Sequence, residues 1–283
     1  MDIKKEVEEM RRNMIRLYIN HKAEYVCGGT RFGGVPDVPE DFVWPTFETS
    51  TFDDDKVRLR PLSFLAQFNC AEISSLDKEG LLPRTGLLSF FYEIGSQLWG
   101  YDPKDAGCAR VYWFEDIASL SKAKFPEDLD EDYRFAELQI KAAIEKSMPS
   151  FEDFAFGRED FYRGDGYEIF ENICKELGHE MPENASKLLG WPDVIQNNMT
   201  LECELVSRGH YLGGGFDHIP KSDMDEARKT SMESWRLLFQ LDTVGYKDFE
   251  LMFGDCGRIY FYIRKEDLMA RQFDKTWLIL QCF

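Results

Sequence analysis

The first apolar positions of the chain alternate in steps of four and three. Ile3, Val7, Met10, Met14 and Leu17 fall on one stripe with Lys, Arg and Glu between them. That spacing predicts an amphipathic N-terminal helix with one stripe against the body of the protein. Residues 28–45 hold Gly28, Gly29, Gly33, Gly34, Pro36, Pro39 and Pro45 and read as loop. Apolar, aromatic runs bounded by Gly or Pro follow at residues 62–69, 87–94 and 109–114 and predict strands. A helical pattern covers about residues 131–147 and ends at Pro149. Another fits 165–178, where Tyr167, Phe170, Ile173 and Leu177 share a stripe ahead of Gly178. Strands return at 201–206, 235–242, 257–263 and 276–282, around a polar helix at roughly 222–233. Strands, then helices, then strands argue for an α+β fold with mostly antiparallel sheets, not an alternating α/β winding.

The order of elements repeats. Gly34-Val35-Pro36-Asp37-Val38 is followed by Leu62-Ser63-Phe64-Leu65-Ala66-Gln67-Phe68 and by Gly86-Leu87-Leu88-Ser89-Phe90-Phe91-Tyr92. Later, Gly190-Trp191-Pro192-Asp193-Val194 is followed by Trp235-Arg236-Leu237-Leu238-Phe239-Gln240-Leu241 and by Gly257-Arg258-Ile259-Tyr260-Phe261-Tyr262-Ile263. This predicts an internal duplication within a single domain. One β-rich unit covers about residues 28–118 and a second about 185–283. An acidic, aromatic helical insert over about 119–180 separates them. With two copies the arrangement is not a solenoid.

Each unit carries the same polar anchors. Asp37 and Asp193 follow Gly and Pro, which suits an aspartate accepting backbone hydrogen bonds in a turn. Gln67 and Gln240 sit inside apolar strands. Alternation puts Phe64, Ala66 and Phe68 on one face and Leu65, Gln67 and Asn69 on the other; Leu237, Phe239 and Leu241 oppose Leu238, Gln240 and Asp242. A buried amide without a partner costs about 1–3 kcal/mol. These residues therefore either satisfy one another or line a pocket. The expected ligand site is Asp37, Gln67, Asn69, Asp193, Gln240 and Asp242, in a cleft between the two units.

Charge narrows the classes of partner. Thirty-four Lys and Arg against 52 Asp and Glu leave a formal charge of −18 over 283 residues. That excludes a broad basic surface, so neither nucleic acid nor an anionic membrane is expected as a partner. A basic protein partner would instead be steered inward. The expected contact region pairs the acids Glu127, Asp128 and Asp130 with Phe151, Phe154 and Phe156. The apolar fraction of 43%, with 23 Phe, is enough for a real core and excludes wholesale disorder.

Candidate chemistry is sparse. The seven cysteines form no Cys-x-x-Cys pair and are odd in number, which fits a reduced cytoplasm better than a disulfide framework. The charged start, from Asp2 through Glu9, is not a secretory leader. His210 and His218 flank Gly213-Gly214-Gly215, near Cys203, with no standard zinc spacing. The triple glycine has no following Gly-Lys-Ser/Thr, and there is no Gly-x-Ser-x-Gly elbow. Cys174 and His179 are the nearest Cys–His couple. No metal and no cofactor are expected.

The ordered set Gly33 to Pro39, Trp44-Pro45, Pro61 to Gln67 and Leu82-Pro83 with Gly86 to Phe91 resembles the YwqG-like family of bacterial proteins. Lys187 to Asp193, Leu201 to Ser207, Gly254-Asp255, Gly257 to Phe261 and Trp277 to Cys282 extend the resemblance to nearly the whole chain; about 120–165 matches least. The resemblance implies a cytoplasmic bacterial protein with a duplicated α+β body and unknown function. Its members are suspected of immunity-like or partner roles. It supplies no catalytic residues, so the leading expectation is an interaction module. The alternative is a small-ligand binder or enzyme.

Overall fold

The computed structural model describes residues 2–22, 24–179, 184–247 and 249–283, without the side chains of Asn20 and His21. One antiparallel sheet organises it. Its strands are β1 (Arg12–Lys22), β2 (Arg31–Phe32), β3 (Ser63–Asn69), β4 (Leu87–Tyr92), β5 (Ala109–Phe114), β6 (Leu138–Ser147), β7 (Lys187–Leu188), β8 (Trp235–Asp242), β9 (Arg258–Arg264) and β10 (Trp277–Gln281). Across the sheet the order is β10, β9, β8, β7, β1, β6, β2, β3, β4, β5. Small two-stranded sheets and helices decorate it, so the fold is α+β and mostly β.

The order is symmetric about the central β1–β6 pair. On each side lies a two-residue strand and then three longer ones. The two central strands are exchanged. β1 precedes β2 in the chain but pairs with β7, through Ile15–Leu188 and Arg16–Lys187. β6 precedes β7 but pairs with β2, through Leu138–Phe32 and Gln139–Arg31. The two halves are thereby interlocked, and β1 and β6 pair from Arg12–Ser147 to Lys22–Leu138.

The two wings face each other across an aromatic core. Phe90 of β4 lies 4.8 Å from Phe239 of β8 and 5.2 Å from Phe261 of β9. Phe68 of β3 meets Phe239 edge-on at 5.3 Å. The edge strand β10 is covered by the loop after β4: the Leu280 N–H donates to Trp99 O, and the Trp277 indole donates to Gly100 O. Covering an edge in this way removes a template for unwanted strand pairing.

A bulge interrupts β3 between Phe64 and Ala66, and another interrupts β8 between Leu237 and Phe239. An extra residue reverses which face the side chains take. Phe64 therefore packs with Leu62 and Phe91, while Phe68 joins the central core. Leu237 packs with Trp235 and Tyr260, away from Phe239 and Leu241. The faces expected from simple alternation are corrected at these two points.

Three elements differ from the sequence expectation. The N-terminal helix α1 covers only Ile3–Glu9, capped by the Asp2 carboxylate on the Lys5 N–H. Met14 and Leu17 belong to β1, where Ile15, Leu17 and Ile19 alternate into the core. Two β-branched residues there favour the pleated surface. The helix expected over 131–147 is β6 along Leu138–Ser147, since pairing with β1 overrides its good helix formers. The strand expected at 201–206 lies within helix α3 (Met199–Ser207), whose N-cap Asn198 accepts from the Leu201 N–H. Buried nearly all round, α3 carries no amphipathic signature. The helices expected at 165–178 and 222–233 are α2 (Gly166–Glu176) and α4 (Lys221–Ser234).

Candidate functional site

The polar anchors form two separate clips, one per half. In the first, Gly33 and Gly34 turn the chain after β2 at φ 59° and 69°. A Cβ on Gly33 would sit 2.2 Å from Ala136 O, so the turn requires glycine. The turn carries Asp37 back to β3. There the Asp37 N–H donates to Gln67 Oε1 at 3.0 Å, and Gln67 Nε2 donates to Asp37 Oδ2 at 2.7 Å. Arg31 pairs with the same carboxylate at 2.8 Å. Tyr25 Oη and the Gly28 N–H donate to it at 2.8 Å each. Burial opposes ionisation of Asp37, but hydrogen bonds from Arg31 and Gln67 outweigh it and hold its pKa below the usual range.

The second clip reproduces this geometry. Leu189 and Gly190 turn the chain after β7 at φ 60° and 77°. The Asp193 N–H donates to Gln240 Oε1 at 2.9 Å, and Gln240 Nε2 donates to Asp193 Oδ2 at 2.7 Å. Lys187 replaces Arg31, at 2.5 Å from Asp193. Burial of Asp193 is again outweighed, here by the Lys187 charge and hydrogen bond, so its pKa is lowered.

Asn69 and Asp242 complete their respective clips. The Asn69 N–H donates to Thr30 Oγ1 and its Nδ2 to Gly28 O, both at 2.9 Å. The Asp242 N–H donates to Ser186 Oγ at 3.1 Å, and its carboxylate accepts from the Ala185 N–H at 2.9 Å. Arg258 flanks Asp242 at 3.2 Å. The six expected residues thus fall into two triplets, 37/67/69 and 193/240/242. They do not converge on one cleft, because the space between the halves is filled by the Phe68–Phe90–Phe239–Phe261 core.

Asp193 alone of the six lines a cavity of about 540 Å³. Helix α2, residues 148–150 with the start of the short helix Phe151–Phe154, and the loop at 192–195 enclose it. Cys174 and His179 share its wall. Burial pushes the Cys174 thiol up to about 11, the opposite of nucleophilic activation. Burial also lowers the His179 pKa. This cavity could not be read from the sequence, because its walls come from three distant segments.

The expected partner region divides. Glu127, Asp128 and Asp130 are exposed. Asp128 and Asp130 line a cleft of about 310 Å³ with Asp53, Asp54, Asp132, Arg58 and Arg60. Phe154 is buried, stacked on Phe170 and packed with Val7, and Phe151 lies half-buried beside it. Phe156 packs toward Leu201 and Leu205. The exposed apolar residues near the acids are instead Phe52, Val57 and Leu59, at 77%, 66% and 61% exposure. They belong to the hairpin of strands Thr46–Thr49 and Arg58–Pro61 and its connecting loop. Only Phe52, just ahead of Asp53, Asp54 and Asp55, carried a signal in the sequence; Val57 and Leu59 alternate with Lys56, Arg58 and Arg60.

His210 pairs with Asp223 at 3.0 Å, and Cys203 is buried in a separate cluster. No group of three or more His, Cys, Asp or Glu able to hold a metal forms among the described residues. All seven cysteines are free thiols. No helix of the described residues is long and apolar enough to cross a membrane.

The fold and its clips define a mostly antiparallel α+β protein with two interlocked halves. The chain belongs to the family described as Domain of unknown function (DUF1963), which matches residues 30–282. No curated protein matches it.

Proposed function

We propose that this chain is a protein-interaction module of the YwqG-like kind, acting in the cytoplasm of a bacterium with an immunity-like or partner role. Its seven free thiols and its resemblance to that family support the location. The matched bulges, turns and clips support a duplicated unit. In this reading each unit begins earlier than residues 28 and 185, with β1 and β6. The two clips then serve as structural locks that tie each turn to its strand.

The observation that carries the interaction reading is the hairpin beside the acidic cleft. Phe52, Val57 and Leu59 stand exposed next to Asp53, Asp54, Asp128, Asp130 and Asp132. Apolar side chains beside a cleft in which acids outnumber Arg58 and Arg60 suit a partner surface with apolar anchors and a basic rim. Arg60 and Arg58 anchor the hairpin through Asp54, at 2.9 and 3.5 Å, so the arm is braced.

A photo-crosslinking residue at Phe52, expressed in the native host, tests this. A reproducible adduct with a basic protein is expected, weakened by salt and by Asp128→Asn with Asp130→Asn. The absence of a reproducible adduct, or one indifferent to both changes, overturns the reading.

A further inference from the structure

The cavity beside Asp193 has a composition distinct from the acidic cleft. Its volume of about 540 Å³ lies within the range typical of small-molecule sites, roughly 300–1,000 Å³. Aromatic rings line one side: Phe151 meets Tyr167 edge-on at 5.2 Å and lies 5.9 Å from Phe170. Tyr167 is 56% exposed although it shares the apolar stripe of α2, which leaves its ring available.

Three carboxylates, Glu152, Glu171 and Asp193, meet one lysine, Lys175, in the same walls. Lys175 lies 3.3 Å from Glu171, and Asp193 is held from behind by Lys187. Glu152 is then the carboxylate in excess. Aromatic faces and a surplus carboxylate both favour a cation and disfavour an anion.

We propose that this cavity binds a small organic cation, an ammonium or guanidinium on an aromatic or aliphatic body. The cationic head lies between Glu152 and Glu171, and the body lies over Phe151, Tyr167 and Phe170. Burial holds Cys174, in the same wall, as the thiol. It is independent of the hairpin surface.

Calorimetry on the full chain tests the proposal with 2-phenylethylamine, agmatine and 3-phenylpropionate, the last matching the first in shape with opposite charge. Saturable one-to-one binding of at least one cation is expected, and no binding of the carboxylate. Glu152→Gln with Glu171→Gln should weaken binding at least tenfold, and Tyr167→Ala several-fold. Asp128→Asn with Asp130→Asn should leave it unchanged. Three results overturn the site: no saturable binding of either cation, equal binding of 3-phenylpropionate, or equal loss in the Asp128/Asp130 variant. The last would mark diffuse attraction to an acidic surface.

Discussion

Arg31 and Lys187 stand at matched positions in the two halves, each six residues ahead of the aspartate it holds, at 2.8 and 2.5 Å. Both cations also donate to a carbonyl four residues on, Val35 O at 2.6 Å and Trp191 O at 2.9 Å. One cation thus fixes both ends of the turn. Removing one partner of a buried pair leaves an uncompensated charge and costs about 3–5 kcal/mol. Asp37→Asn should therefore destabilise by that order, because its amide would also face the donors of Arg31 and Gln67. Asp193→Asn should cost less, because Asp193 borders a cavity that admits water. Urea unfolding of both variants checks this; equal, small losses would mean the clips are dispensable.

Phe90 and Phe261 occupy corresponding places on β4 and β9 and touch at 5.2 Å. Both are fully buried. Truncating either to Ala should cost about 3–5 kcal/mol, the usual range for a buried Phe. The double variant should lose less than the two single losses together, since the two rings share one interface. Strictly additive losses in thermal or urea unfolding would show that the wings are stabilised separately.

The strand exchange makes a prediction about chain cleavage. Residues 127 and 128 are exposed, between β5 and β6. A specific protease site inserted there would release two fragments, one holding β1 to β5 and the other β6 to β10. Each central strand pairs with the other fragment: β1 with β7, and β6 with β2. The cleaved protein should elute as one species of unchanged size and fall apart only in denaturant. Separation in native buffer would contradict the interlocked topology.

The wings were legible because their strands are apolar, aromatic and punctuated by Gly and Pro. Residues 235–242 and 109–114 are strands over just those bounds. The paired anchors were legible too, because Gln67 and Gln240 interrupt apolar runs. The central strands were not. Ala142, Ala143, Glu145 and Lys146 are good helix formers, and only pairing along β1 makes that segment extended. Helix α3 failed for the converse reason: Leu201, Cys203 and Leu205 alternate with Glu202 and Glu204, yet both glutamates are buried. Arg31 and Lys187 escaped notice because a cation six residues from an aspartate has no meaning until the turn closes.

Glu202 is 2% exposed on α3, its Oε2 has no hydrogen-bond partner, and burial pushes its carboxyl up to about 8. The ordinary value of 4.5 applies once the chain unfolds. Between these values the folded state holds a proton that the unfolded state has released. Stability is therefore greatest, as far as this group is concerned, below about pH 4.5, and it falls as pH rises toward 8. The whole span amounts to roughly 2–5 kcal/mol. Glu202→Gln keeps the shape of the neutral acid and cannot ionise. The variant should match the parent near pH 5 and exceed it at pH 9, with a flatter profile between. Urea midpoints across that range test the difference, and parallel profiles would show that Glu202 ionises freely in the fold.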